Sequence, residues 1–174
     1  MNEHRFRADS VERALALVGD RWSFLILREA FFGVRRFGDL ARNLGVARNI
    51  LSARLAALVK AGILERRRYH CDPDWYEYRL TTMGRDLYPI VVTIMRWGDR
   101  YLAGPEGPPL VLRHERCGHD AAPALVCSHC AEEVRPEDIA PEPGPGASLA
   151  QPEVTNRETT ASEDRHTRRR TPGG

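Results

Sequence analysis

The sequence predicts a mainly α-helical domain of the α+β kind, a winged helix-turn-helix with a two-stranded wing. Apolar residues recur at helical spacing through most of residues 1–104. Gly45 separates two of the helical patterns and supplies the left-handed residue that a tight turn requires. Two strand-like segments joined by a Pro-Asp turn follow the second of these patterns. This order of helices, turn, helix and hairpin is typical of a winged helix-turn-helix.

Two helices open the domain. Ser10 is expected to cap a first helix that ends at Gly19. Asp20 is expected to accept hydrogen bonds from the free amides at the start of a second helix over 21–32. Residues 22–27 of that helix are apolar on almost every side, which places it in the middle of a core or at a subunit interface.

The next two helices form the predicted helix-turn-helix. A short helix over 37–44 is followed by the turn at Gly45 and by a fourth helix over 48–61. Small or apolar residues are needed where the two helices cross, and Leu40, Ala41 and Leu44 supply them. The inward stripe of the fourth helix is Leu51, Leu55, Leu58 and Val59.

A hairpin and a long helix complete the domain. Strands over 63–70 and 75–80 are predicted on either side of the turn. We then expect one helix over 82–102, bent by Pro89, which lies inside it or very near its start. Its apolar stripe is Met83, Leu87, Ile90, Val91, Ile94, Trp97 and Tyr101.

The fourth helix carries the predicted reading surface for duplex DNA. Arg48 could pair with guanine and Asn49 with adenine, while Ser52 could reach a base edge or a phosphate. Arg54 is as well suited to a salt bridge or phosphate contact as to base reading. Arginines of the wing could reach backbone phosphate or a minor groove, although a solvated surface remains the alternative for each. The predicted DNA-binding set is Arg36, Arg48, Asn49, Ser52, Arg54, Arg66, Arg67 and Arg68.

The charge distribution agrees with a polyanionic partner. Residues 1–104 carry 18 Lys and Arg against 12 Asp and Glu, whereas the remaining residues carry 8 Lys and Arg against 12 Asp and Glu.

The chain carries no phosphate loop, nucleophile elbow or His-Glu-x-x-His motif, so we predict that it is not an enzyme. Glu12, Asp20 and Glu29 are expected to have capping or surface roles. With no long apolar run and no signal peptide, a cytoplasmic location is predicted.

Several segments, in order, resemble the HxlR family of bacterial transcriptional regulators, which is related to the MarR regulators. They are 11–15 (VERAL), 19–29 (GDRWSFLILRE), 36–40 (RFGDL), 49–55 (NILSARL) and 78–84 (YRLTTMG), and the likeness covers residues 9 to about 102. The resemblance implies a winged-helix homodimer that binds a pseudo-palindromic operator. We expect such a regulator to act as a repressor, with activation as the alternative. It also implies dimer contacts from the N-terminal helix and the long C-terminal helix.

The sequence departs from that family at one position. Many members carry a cysteine just before the Val-Glu-Arg motif, and some sense oxidants or electrophiles with it. Here the stretch reads Ala8-Asp9-Ser10, without a thiol. Cys71 at the wing tip is a candidate substitute, and an incidental exposed thiol is the alternative.

Residues 105–140 are predicted to form a small separate unit with one structural zinc ion. His114, Cys117, Cys127 and Cys130 lie on two turns that nine residues separate, an arrangement like a miniature zinc ribbon. His119 could take the place of His114. So small a unit has few large aliphatic residues and needs a staple to fold alone. The alternative is that it packs on the main domain with free thiols.

The last residues, 141–174, are polar and rich in Pro and Gly, so a disordered tail is predicted. Its basic end over 165–170 could touch nucleic acid weakly or remain solvated.

Two other functions stay open for the whole chain. A winged helix can bind protein in place of DNA, and the Cys/His cluster could sense a metal, which would make the protein a metal-responsive regulator.

Overall fold

A computed structural model of the chain describes residues 10–71, 74–121, 123–142 and 144–145. Its helices are α1 Ser10–Val18, α2 Arg21–Phe31, α3 Phe37–Leu44, α4 Arg48–Lys60, α5 Thr82–Arg85 and α6 Tyr88–Leu102. Its strands are β1 Leu64–Cys71, β2 Asp74–Leu80, β3 Arg113–His114 and β4 His119–Asp120, and a 3₁₀ turn spans Pro136–Asp138. The predicted winged helix-turn-helix is confirmed.

The core forms between α2 and α4. Ile26 and Leu27 of α2 are almost fully buried, and so are Leu51, Leu55 and Leu58 of α4. These side chains belong to one apolar cluster, to which α3 and the wing also contribute. The predicted inward stripe of the fourth helix is therefore the buried one, which leaves the opposite side of α4 facing solvent.

Two local signals fix the ends of these helices as predicted. The Asp20 carboxylate accepts hydrogen bonds from the backbone N–H groups of Trp22 and Ser23 at 3.0 and 3.1 Å, which caps α2. Gly45 ends α3 with φ of +60°, in the left-handed region where a side chain is strained. The chain can thus turn sharply and start α4 at Arg48.

The wing is an antiparallel pair in which Leu64 opposes Leu80 at the base. A third segment joins it, because the N–H of Tyr78 donates to the carbonyl of Arg35 at 2.8 Å and Arg36 forms a bridge with Glu77. The register shifts between Arg68 and His70, so Tyr69 is the extra residue of a β-bulge. The bulge lies beside the start of α3 and changes which side of the wing Tyr69 occupies.

The single helix predicted over 82–102 is wrong, because the chain forms α5 and then α6. Pro89 stands within the first two residues of α6, where its missing N–H costs nothing. Just before it, the N–H of Leu87 reaches back only three residues, to the carbonyl of Gly84 at 3.2 Å. In an unbroken helix the ring of Pro89 would clash with the carbonyl of Arg85, four residues earlier, so the chain ends one helix at Arg85 and begins another at Tyr88.

The short helix α5 is clamped to the base of the wing. The Thr81 hydroxyl donates to the carbonyl of Gly62 at 2.6 Å and accepts from the N–H of Gly84 at 3.1 Å. A Cβ added to the buried Gly84 would lie only 2.2 Å from the carbonyl oxygen of Ile63. The clamp fixes β1 relative to α4, and glycine is needed at its closest point.

Residues 105–142 hold two small turns that lie against α6. The β3–β4 hairpin carries the first, and a bridge between Val126 and Glu133 closes the second. Arg96 of α6 donates a hydrogen bond to the carbonyl of Pro123. The predicted tail over 141–174 lies almost entirely outside the described residues, and the side chain of Cys71 does too.

Candidate nucleic-acid interface

The exposed start of α4 carries the residues predicted to read bases. Arg48, Asn49 and Ser52 are all exposed. Asn49 and Ser52 lie off the stripe of buried leucines, whereas Arg48 precedes Leu51 by three residues on that stripe and is exposed because it begins the helix. The guanidinium carbon of Arg48 lies 5.3 Å from the centre of the Phe37 ring. This contact orients an otherwise flexible side chain at the start of the helix, where residues of a recognition helix meet base edges.

Arg54 lies on the same helix but has an internal partner. Its Nε is 3.3 Å from Oδ1 of Asp20, the residue that caps α2. Partial burial acts to raise the pKa of Asp20, but hydrogen bonds from Ser23, the charge of Arg54 and the N–H of Trp22 together hold that pKa below its ordinary value. The salt bridge predicted for Arg54 therefore forms, and it joins α4 to α2.

The three wing arginines do not act as one cluster, because strand alternation divides them. Arg66 and Arg68 oppose Tyr78 and Tyr76 in the register, whereas Arg67 opposes Glu77 on the other face. The guanidinium carbon of Arg66 lies 3.6 Å from the centre of the Tyr76 ring.

Arg67 instead forms an ion pair with Glu65, with Nη2 and Oε1 separated by 3.0 Å. The Glu65 carboxylate therefore partly neutralises the charge of Arg67. Arg66 lies on the other face of the wing, together with Tyr76 and Tyr78.

A cleft of about 560 Å³ lies between the wing and the starts of α3 and α4. Three of the predicted DNA-binding arginines line it: Arg36, Arg48 and Arg66. Arg36 lies over Tyr69, with 4.9 Å from its guanidinium carbon to the ring centre. The fold thus brings together three cations that are separated in the sequence. We call this feature the arginine–aromatic cleft.

Sequence reasoning missed a buried polar link behind this surface. Glu29, expected to have a capping or surface role, is only 7% exposed. Its carboxylate accepts hydrogen bonds from Arg28 and from Asn43 of α3, each at 2.7 Å. The link ties α2 to the helix that braces α4. A contact between positions 14 residues apart has no local sequence signal, so the pattern of α2 alone could not have revealed it.

The predicted zinc ligands form two pairs. Nδ1 of His114 and Sγ of Cys117 are 3.2 Å apart on the first turn. On the second turn, hydrogen bonds from the N–H groups of Cys130 and His129 and from the Cys130 thiol lower the pKa of Cys127. Among the described residues, no group of three or more His, Cys, Asp or Glu side chains is placed to hold a metal ion.

Comparison with known proteins decides the family. Residues 17–105 match the model of the family described as HxlR-like helix-turn-helix. The chain belongs to the HxlR family. HxlR proteins are DNA-binding transcriptional regulators and not enzymes.

Individual relatives extend the likeness beyond the winged helix. This HxlR-family chain is 59% identical over 143 residues to Rv3095 of Mycobacterium tuberculosis, an uncharacterized HTH-type transcriptional regulator, covering 82% of this chain and 90% of the relative. The crystal structure of PA1607, described as a candidate transcription factor, is 35% identical with a TM-score of 0.72, covering 81% of this chain and 99% of PA1607.

PA1374 of Pseudomonas aeruginosa, also described as a candidate transcription factor, is 36% identical with a TM-score of 0.56, covering 78% of this chain and 92% of the other. The family match ends at residue 105, and an alignment over 143 residues cannot fit within residues 1–105. The likeness to Rv3095 therefore continues into the unit after α6.

None of the helices described for this HxlR protein has the length and apolar character needed to cross a membrane.

Proposed function

We propose that this protein is a homodimeric, sequence-specific repressor in which α4 of each subunit enters the major groove of operator DNA. One observation carries the proposal: Arg48, Asn49 and Ser52 are exposed on α4, beside a cleft where Arg36 and Arg66 add positive charge. Arg48 and Asn49 are the residue types that pair with guanine and adenine edges. With α4 in the groove, Arg66 meets the phosphate backbone. Because a protein that binds operator DNA works where the chromosome is, we propose a cytoplasmic location.

A homodimer is supported by the unpartnered faces of α1 and α6. Ile90, Ile94, Trp97 and Tyr101 follow one another at helical spacing, and each is about half exposed. The unit after α6 uses a different side, because Tyr88 and Val92 line the pocket that it forms with the helix. An apolar stripe this long is costly to leave in water and fits a second copy of the same helix.

The α1 helix adds to this surface. Val11 and Leu15 are spaced by one helical turn and are 64% and 57% exposed. A twofold arrangement through α1 and α6 gives two copies of α4, which suits an operator with two half-sites about one helical turn apart.

The test is binding of purified protein to DNA fragments upstream of its own gene, measured by fluorescence anisotropy across a range of salt concentrations. Several phosphate contacts per dimer predict a steep linear fall of log affinity with log salt. Footprinting should then show two protected half-sites. Binding with no salt dependence, or to no duplex at all, would favour the protein-interaction alternative.

We further propose that one structural zinc ion joins the two turns of the unit after α6, with His114, Cys117, Cys127 and Cys130 as ligands. Each pair sits on a tight turn closed by a short antiparallel bridge, and thiolate with imidazole is a donor set that zinc favours. The unit has little core of its own, since Leu125, Val126 and Ile139 are all more than half exposed. Zinc would supply the missing stabilisation.

Metal analysis tests this second proposal. The wild-type protein should contain one zinc per chain, and C127S/C130S should contain none while keeping the winged helix intact by circular dichroism. No metal in protein prepared without chelator would refute it. If removing zinc with a chelator changes operator affinity as well as the stability of the unit, the metal is a signal, as in the metal-responsive alternative.

A further inference from the structure

Phe37 contacts both the core of the domain and the first residue of the reading helix. It begins α3, is half-buried and packs against the apolar cluster of the domain. The guanidinium carbon of Arg48 lies 5.3 Å from the centre of its ring. A side chain held by a close-packed core has little freedom to move, so the ring is a fixed platform beside the start of α4.

The Arg48 guanidinium has no other partner among the residues that the structure describes. The acidic residue nearest in the same cleft is Asp39, and its Oδ1 lies 3.1 Å from Nη1 of Arg42. A long arginine side chain with nothing to hold it loses much rotamer entropy when it is fixed at a base edge. The Phe37 ring is therefore the group that can restrict Arg48 before DNA arrives.

A ring contact suits guanine reading because it uses the flat face of the guanidinium and leaves the edge free. The N–H groups of arginine lie in the guanidinium plane, so two of them can still donate in parallel to O6 and N7 of one guanine. This two-point contact depends on the angle of the plane, whereas attraction to phosphate depends mainly on charge. A misoriented Arg48 should thus lose discrimination between bases more than overall attraction to DNA.

We infer that Phe37 is a positioning residue for base reading, which holds the Arg48 guanidinium at the angle that guanine requires. The inference rests on the proposed function, because it takes guanine as the target of Arg48. Tyr76 holds Arg66 in the same way, with 3.6 Å from the ring centre to the guanidinium carbon. Arg66 meets phosphate in the proposed complex, so the Tyr76 ring should influence affinity without influencing the choice of base.

An operator with 7-deazaguanine in place of the contacted guanine of each half-site tests the inference, because this base lacks the N7 acceptor. In anisotropy titrations, the full-length wild-type protein should bind it about tenfold or more weakly than the natural operator. In Phe37→Leu this difference should shrink to about threefold or less, whereas Phe37→Tyr, which keeps the ring, should retain it. Tyr76→Leu, the matched control, should weaken binding to both operators alike.

Leucine is smaller than phenylalanine, so Phe37→Met, which is closer in volume, carries the same expectation and is measured beside it. Urea unfolding of each variant reports a change in the fold separately from the ratio of the two affinities. A wild-type-sized difference in both Phe37→Leu and Phe37→Met would overturn the inference, and so would an equal loss in Phe37→Tyr. A wild-type protein that binds the two operators equally would instead refute the guanine contact of the proposed function.

A second measurement needs no DNA. Nitrogen-15 relaxation of the Nε–H group of Arg48 gives its order parameter in the free protein, which reports motion on the picosecond to nanosecond timescale. The order parameter should fall in Phe37→Leu and stay at the wild-type value in Phe37→Tyr. An order parameter that Phe37→Leu leaves unchanged would show that the ring does not hold Arg48, and the inference would be overturned even if the protein binds its operator as proposed.

Discussion

Replacing Arg66 should weaken DNA binding and flatten its salt dependence, whereas replacing the neighbouring Arg67 together with its partner Glu65 should not. Arg66 is exposed on the cleft face of the wing, packed on Tyr76, while Arg67 is paired with Glu65 on the other face. Each phosphate contact contributes about 0.9 to the slope of log affinity against log salt. A dimer with Arg66→Ala loses two contacts, so the slope should become less steep by about 1.8.

The size of the effect follows from that slope. Between about 50 and 200 mM salt, two phosphate contacts account for roughly a twelvefold change in affinity, which the Arg66→Ala protein should no longer show. Removing Arg67 alone would leave the Glu65 charge near the DNA, so the matched control is the double variant E65A/R67A. Anisotropy titrations of all three proteins on one operator fragment measure the slopes. Equal slopes for Arg66→Ala and wild type, or a flatter slope in E65A/R67A, would refute this assignment of the wing faces.

Three further predictions concern the fold and its assembly. Gly84→Ala should lower the free energy of unfolding by about 1–3 kcal/mol in urea titrations, since its Cβ would collide with the carbonyl of Ile63; an unchanged midpoint would contradict the clamp. Asp20→Ala should cost about 1 kcal/mol through the lost cap, and Asp20→Asn less. The pKa of Asp20 is lower in the folded protein than in the unfolded chain, so its ionised form stabilises the fold above the unfolded pKa of about 3.9. That stabilisation disappears as pH falls through the lower folded-state pKa, and the stabilities of the wild type and Asp20→Asn should therefore converge in acid. A stability difference that widens in acid would contradict the direction of the pKa shift. Ile94→Asp combined with Trp97→Asp should give monomers in sedimentation, against dimers for the wild type and for Thr93→Ala on the same helix.

The parts of the fold that the sequence predicted well depend on local signals. The cap at Asp20, the turn at Gly45 and the stripe of α4 each arise within a few residues, so propensity and periodicity are enough to find them. The exposure of Asn49 follows from that stripe, because the two sides of one helix are fixed relative to each other, and the exposure of Arg48 follows from its place at the start of the helix.

What the sequence could not predict depends on strand register and on long-range contacts. Arg66 to Arg68 are consecutive in the sequence and were predicted to act alike, but the alternation of a strand separates Arg67 from its neighbours. The pairing of Arg54 with Asp20, and the burial of Glu29 against Asn43, bring together residues from different helices. The aromatic walls of the cleft require the bulge at Tyr69, which follows from how the two strands pair.

The start of α4 is proposed to read guanine in the major groove, and methylation protection measures this contact directly. Dimethyl sulfate modifies guanine N7, the atom that Arg48 is expected to contact. The wild-type protein should protect one guanine in each half-site, and Arg48→Ala should lose that protection while its footprint on the backbone remains. Identical guanine protection by the two proteins at saturating concentration would contradict the claim.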